Sequence, residues 1–203
     1  VLAAETWAEI KQMPWSCEQG KALQASLRAS YLTGVWFKRK NMLQGKKPKP
    51  AEQIRAELGL DPNKKTAFVF SHVLWDATFW YGTSLFPDYG TWLIETIRRA
   101  VGNPRVNWVI KMHPDNVWKL GWNYAVERFE EYVLIKRHFP ELPPHVRLML
   151  PEDDTNTVSL FDMADYALTV RGTVGLEFPC FGVPTLTAGT GRYSRRGFTV
   201  DSE

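Results

Sequence analysis

Two short strings hold side chains that could do chemistry. Lys111-Met112-His113-Pro114 sets an ammonium and an imidazole two residues apart, with a proline directly behind them. In an extended segment, residues i and i+2 point to one side, and proline ends strand pairing. Lys111 and His113 are therefore expected side by side at a strand end. An imidazole near its ordinary pKa can donate to a phosphate oxygen or assist a leaving group. The plain alternative is a histidine that only caps its loop. Arg171-Gly172-Thr173 is the second string. Glycine lets a backbone approach closely, threonine adds a hydroxyl, and arginine offers a planar fork that matches phosphate. Where such a string joins a strand end to a helix start, outward N–H groups favour an anion. Thr173 could also cap its own helix, and the two roles are compatible. The string has neither Walker nor GxGxxG spacing. Together the two strings are expected to hold the phosphates of a nucleotide-activated donor. Lys111, Pro114, Arg171, Gly172 and Thr173 would bind it, with His113 as the catalytic group.

Other residues extend this picture. Glu177 interrupts an apolar run (Val174, Leu176, Phe178), where an unpartnered carboxylate is costly. A ribose diol could supply its two donors, and an ion pair with a neighbouring cation is the alternative. His72 and Asp76 stand in a long aromatic loop with Trp75, Trp80 and Tyr81. They could face a donor or acceptor sugar, or His72 could be a satisfied loop histidine. Tyr193 and Arg195 follow a Gly-rich connection and could meet the same sugar or its phosphates, or be a charged tail. Asp153-Asp154 could hold a cation, but solvated turn residues are the plainer reading, and no metal is expected. Cys180 lies in an apolar helix end, where an inert thiol is the default.

These residues need a frame. Residues 66–73, 106–112, 146–150, 166–170 and 185–188 have the apolar, β-branched character of strands. Helices are predicted over 51–58 (closed by Gly59), 91–101, most of 117–139, 157–164 and the run after Thr173. The inner face of 117–139 is expected to include Val126, Phe129, Val133 and Leu134. The alternation predicts an α/β, Rossmann-like parallel sheet with helices on both faces. The loops at the carboxyl ends of the strands would then share one rim, where ligands of open α/β sheets bind. Residues 1–50 are expected as an N-terminal helical and linker segment. Its Lys38-Arg39-Lys40 and GKKPKP (45–50) are most simply solvated. Residues 51–203 would be the nucleotide-binding domain.

Composition sets bounds. A chain of 203 residues suits one full domain, and its 44% apolar content is ordinary. Nine Trp could serve cores, sugar-stacking platforms or interfaces. A net charge of +3 suits anionic ligands without implying nucleic acid, and none is expected. Cys17 and Cys180 form no disulfide or zinc pattern, which points to a reducing cytoplasm. No apolar run approaches the roughly 20 residues that span a bilayer. The chain starts at Val1 and ends soon after a Gly-rich stretch, so a fragment of a longer protein is expected.

FSHVLWDATFWYG, NWVIKMHPDN and RGTVGLEFPCFGVPTLTAGTGRYSRRGF resemble bacterial capsule polysaccharide biosynthesis proteins. That group is similar to capsular Kdo transferases, and more distantly to sialyl- and polysialyltransferases and teichoic-acid glycerophosphotransferases. The likeness covers roughly residues 65–198. It implies one half of a two-Rossmann, GT-B type inverting glycosyltransferase with a CMP- or CDP-activated sugar donor and no required cofactor. It implies a phosphate or leaving-group role for His113, a phosphate contact for Thr173 and a ribose contact for Glu177. Arg-Gly-Thr stands where sialyltransferases have Ser-Ser or Ser-Thr, which leaves the donor open. A polysaccharide or lipid-linked acceptor, an absent acceptor half carrying the general base, and peripheral association with the inner membrane are implied as partners. A fragment lacking that half is expected to turn over little. Two other readings are a CDP-polyol phosphotransferase-like enzyme and a non-catalytic carbohydrate- or protein-binding module with a degenerate nucleotide site.

Overall fold

The computed structural model describes residues 4–34, 45–76, 82–117 and 129–201. Six strands form one sheet: β1 (Lys65–Phe70), β2 (Val106–Lys111), β3 (Val146–Met149), β4 (Tyr166–Thr169), β5 (Thr185–Thr187) and β6 (Val200–Asp201). Their order is β3-β2-β1-β4-β5-β6, and every pairing is parallel. The expected α/β Rossmann-like sheet is therefore present. It gains a short edge strand, β6, that the sequence pattern did not mark. Each strand stops one to three residues earlier than its apolar run, because the chain peels into the rim loops while still buried. Ser71, Met112 and Val170 are such residues.

Alternation along the strands builds two cores. Phe68 and Phe70 of β1, Val109 of β2 and Ala167 of β4 face one cluster, completed by Ile54, Phe161 and Phe178. Val69 and Ile110 face the other, with Trp92, Leu93, Ile97 and Ile135. The first face carries α2 (Cys17–Thr33) and α3 (Ala51–Leu58), and the second carries α4 (Tyr89–Val101) and α5 (Glu130–His138). Helices thus cover both faces, as a parallel sheet requires. α1 (Ala4–Ile10) buries no residue.

Local chemistry sets the helix ends. Ser16 and Gln19 form a reciprocal capping box on α2, and Gly34 closes it in the left-handed region at φ 67°. Asp88 caps α4 by accepting from Thr91 N–H at 2.6 Å. This starts the helix two residues earlier than periodicity suggested. In α5 the buried residues are Glu131 and Ile135, with Phe129 buried just before them, while Val133 is 41% exposed. Val126 lies outside the described residues. Residues 157–164, expected as a short helix, form only a 3-10 turn over Thr157–Leu160. The helix after Thr173 is likewise short: α6 (Val174–Glu177) passes into a 3-10 turn, Phe178–Phe181.

The N-terminal segment lies against the domain. Arg28 pairs with Asp162 at 2.6 Å, Gln24 Nε2 donates to the Cys180 carbonyl at 2.7 Å, and Asn156 Nδ2 donates to the Tyr31 carbonyl at 3.0 Å. The basic stretch 45–50 differs from the solvated linker expected. Lys47 forms a parallel bridge with Thr155, Lys49 pairs with Asp154 and Glu57, and Lys46 donates to the Pro151 and Asp153 carbonyls. Opposite charge across two loops explains the clasp. Lys38-Arg39-Lys40 lies outside the described residues.

Candidate functional site at the strand switch

The chain winds outward from β1 through β2 to β3, then returns to the other side of β1 with β4. That reversal separates the loops after β1 and β4, and such a switch point is where open α/β sheets bind ligands. The ends of β2, β1 and β4 lie side by side. The turn after β2, with His113, and the turn after β4, with Arg171-Gly172-Thr173, are two strand spacings apart, roughly 10 Å.

His72, directly after β1, bolts the switch together. Its Nε2 lies 3.0 Å from Thr169 Oγ1 and accepts the Val170 N–H at 3.1 Å. Its ring stacks on Tyr89 at 4.3 Å and meets Trp92 edge-on at 5.9 Å. Burial first, then the nearby His113 and Arg171, push its pKa down to about 3. The ring is therefore neutral with its Nε2 lone pair in use. This differs from the sugar-facing histidine expected, because the strand reversal turns His72 onto β4 rather than into the loop. The Arg171 N–H also points at Nε2, at 3.5 Å, so His72 is fastened to the start of the turn after β4.

His113 is held through its backbone. Its N–H donates to Ser71 Oγ at 3.0 Å, and its Nδ1 accepts the Asp115 N–H at 3.2 Å. The neutral ring therefore carries its proton on Nε2. The Asp115 carboxylate stands 4.0 Å from Nδ1, and the His113 side chain is 32% exposed. Pro114 is partly buried within the same turn. Behind Ser71 is Glu131, which sequence reasoning missed. Glu131 is fully buried, accepts from Ser71 Oγ at 2.9 Å and accepts from Asn116 Nδ2. Two adjacent acids in the first turn of a helix ordinarily mark an exposed end. The available signal was that Glu131 stands four residues before Ile135, on the same buried stripe.

Lys111 does not share the surroundings of His113. It is 8% exposed, and the charges that act on its amine are those of Lys46 and Asp153. Burial and Lys46 push its pKa down to about 8, and Asp153 pulls the other way. Its strand end does hold the site, since Ser71 N–H donates to the Lys111 carbonyl at 3.1 Å. Asp153 accepts the Thr155 N–H at 2.8 Å, closing a local turn, while Asp154 faces Lys49. Among the described residues, no three His, Cys, Asp or Glu side chains group as metal ligands would.

The turn after β4 depends on close packing. A Cβ on Gly172 would sit 2.9 Å from Thr169 Oγ1, and one on Gly175 would sit 2.0 Å from Tyr193 Oη. Tyr193, only 7% exposed, lays its ring over Gly175 and donates to the Gly172 carbonyl at 2.7 Å. Burial raises its pKa, with Asp201 and Glu177 adding to the rise. It braces the turn from behind, where a sugar-facing side chain was expected, because the chain after β5 folds back across α6. Arg171 bonds Ser84 and lies 6.0 Å over the Tyr89 ring, so its fork turns toward the loop before α4. Thr173 is exposed with helical dihedrals and makes no capping bond. The N–H groups of Thr173 and Val174 have no hydrogen-bond partner among the described residues.

Glu177 is fully buried and takes its partner from within the chain: Tyr31 of α2 donates to Oε2 at 2.5 Å. Among the described residues, no bond of good geometry reaches Oε1. Burial raises its carboxyl above the usual range, and the Tyr31 and Thr173 hydroxyls oppose that rise. The expected diol-facing carboxylate is thus occupied by α2. Asp76 and Arg195 are exposed, and Arg195 has a left-handed φ of 62° with its N–H on the Asp201 carboxylate at 2.5 Å. Trp80 and Tyr81 lie outside the described residues. Beside Arg171, Ser84, Asp88, Tyr89, Trp92 and Val170 line a shallow, partly open depression that is too tight to hold a ligand.

No family model matches this chain, and no curated protein matches it. Solved structures do resemble its fold. One is the β-Kdo 2,7 transferase of Thermosulfurimonas dismutans KpsC, at 19% identity and TM-score 0.48, covering 87% of this chain and 50% of that one. Its β-Kdo 2,4 transferase aligns at 18% identity and TM-score 0.47, covering 87% and 53%. The UDP-GlcNAc 2-epimerase of Neisseria meningitidis, bound to UDP-GlcNAc, aligns at 15% identity and TM-score 0.46, covering 73% and 34%. This chain therefore spans about half the length of these structures or less. No helix among the described residues is long and apolar enough to cross a membrane.

Proposed function

We propose that this chain is the donor-binding domain of a glycosyltransferase that builds capsule or surface polysaccharide, and that its donor is a CMP- or CDP-activated sugar. The observation that carries this reading is the strand switch itself: it sets the ends of β2, β1 and β4 side by side, with Ser71 after β1 holding the His113 N–H and His72 holding the Val170 and Arg171 N–H groups. The donor's phosphate lies between the two turns. His113 Nε2–H and the Thr173 and Val174 amides donate to it, and the Arg171 and Lys111 charges favour it at longer range. In the transfer, an acceptor hydroxyl oxygen bonds to the anomeric carbon as that carbon's bond to phosphate oxygen breaks. The hydroxyl proton passes to a base on the acceptor side, and the departing phosphate keeps the electron pair. Preorganised donors facing that developing charge contribute several kcal/mol, on the order of 3 per well-placed group. Glu177 and Tyr193 support the turn from behind in this scheme, and His72 locks it.

The test is calorimetric titration of the chain with CMP, CDP, UDP and GDP, beside His113→Ala. Binding of a cytidine nucleotide in preference to the others, weakened at least tenfold by His113→Ala at unchanged melting temperature, is the expected result. Equal binding of all four, or none, overturns the donor assignment. Undiminished binding by His113→Ala overturns the site.

A further inference from the structure

The end of β2 is gripped by a buried carboxylate, Glu131. Glu131 accepts from Ser71 Oγ at 2.9 Å, and Ser71 Oγ accepts the His113 N–H at 3.0 Å. Its other oxygen accepts from Asn116, whose N–H donates to the His113 carbonyl at 3.2 Å. One buried group thus reaches both sides of His113, the amide side through Ser71 and the carbonyl side through Asn116. Ser71 is 4% exposed and Asn116 9%, so water does not substitute for either partner. Among the described residues, the groups that act on Glu131 are Ser71, the His113 amide, Asn116 and Glu130, none of them a cation.

We propose that Glu131 is a positioning residue for His113, and that its ionisation sets how firmly the His113–Asn116 turn is held at the rim. As a carboxylate, Glu131 is acceptor-only and matches the donors aimed at it. When protonated, it must carry the proton on the oxygen facing Ser71, because Asn116 Nδ2 can only donate. The Ser71 hydroxyl then turns from donor to acceptor and shares its lone pairs between Glu131 and the His113 N–H, which changes its hold on the turn. Burial pushes its pKa up to about 8, against the pull of Ser71, the His113 amide and Asn116. The switch therefore falls near neutral pH. The charged or titratable groups around it are His113 and Asp115 on the turn, His72 beyond Ser71, and Glu130 on its own helix. Asp88 and Tyr89 open α4, whose Gly90 lies against Leu134 of α5. The ionised carboxylate also holds the His113 ring proton more tightly.

The relevance to transfer rests on the donor reading above, whereas the coupling itself does not. The experiment is an NMR pH titration of the histidine rings in the whole chain, with His113 identified through His113→Gln. The His113 resonance is expected to show a second inflection near pH 8 that vanishes in Glu131→Gln, with no such inflection at His138 or His145. Asn116→Ser, which leaves the carboxylate one donor short, should move the inflection to higher pH, and it keeps the test open if Glu131→Gln does not fold. A single titration at His113 in the wild type overturns the proposal. So does an inflection that survives Glu131→Gln, which would belong to Lys111. Added CMP or CDP that leaves His113 unmoved counts against the donor reading alone.

Discussion

Gly175→Ala tests the packing that shapes the turn after β4. The new Cβ would lie 2.0 Å from Tyr193 Oη, 2.3 Å from Cζ and 2.6 Å from Cε2. All three are far inside van der Waals contact, so Tyr193 must leave its place. Moving a ring that is only 7% exposed into water costs about 1.5–3 kcal/mol. Losing its bond to the Gly172 carbonyl costs about 1 kcal/mol more. Alanine in place of glycine in a helix returns at most about 1 kcal/mol. The net expectation is a loss of about 1.5–4 kcal/mol. In a Tyr193→Ala background the obstacle is gone, and Gly175→Ala should be neutral or stabilising by up to about 1 kcal/mol. Tyr193→Phe keeps the offending ring carbons, so Gly175→Ala should still be costly there. Urea denaturation of the single and double variants at matched m-values gives the coupling. An equal cost for Gly175→Ala with and without Tyr193 would refute the packing argument.

Two further expectations follow from the buried carboxylates. Glu131 releases its proton at about 8 in the folded chain and near 4.5 when unfolded, so its stabilisation is complete below about pH 4.5 and is lost as pH rises through 8. Wild type should lose up to ~1.4 kcal/mol per pH unit across that window relative to Glu131→Gln, and parallel stability curves from denaturation at pH 5, 6, 7 and 8 would count against it. Tyr31→Phe removes the donor on Glu177 and should cost about 1–3 kcal/mol. The cost should grow as pH is raised and Glu177 ionises, whereas a cost independent of pH would mean the hydroxyl contributes only packing.

Much of the frame was legible in the chain itself. The runs around Phe68, Val109 and Ala167 are short, apolar and separated by helical periodicity, and that pattern requires a buried parallel sheet. His113-Pro114 and Arg171-Gly172-Thr173 were legible as strand-end turns because proline and glycine act locally. The roles of neighbouring polar residues were not legible in the same way. His72, Tyr193 and Glu177 look like ligand-facing groups when taken with their sequence neighbours alone. Each is instead satisfied by a residue at least 21 positions away: Thr169 for His72, Gly172 for Tyr193 and Tyr31 for Glu177. Glu131 was hidden by the same effect, because an acid early in a helix is ordinarily solvated.

The order of strands was decided only by the tertiary structure. Nothing local tells β4 to return beside β1 rather than continue past β3, and that return brings His113, His72 and Arg171 together. Periodicity depends on which side of its own backbone a side chain takes. Hydrogen-bond partners depend on which strands lie next to one another. The sequence therefore determined the elements, the turns and the cores they bury, whereas the fold alone decided which polar groups were already spoken for when the rim was assembled.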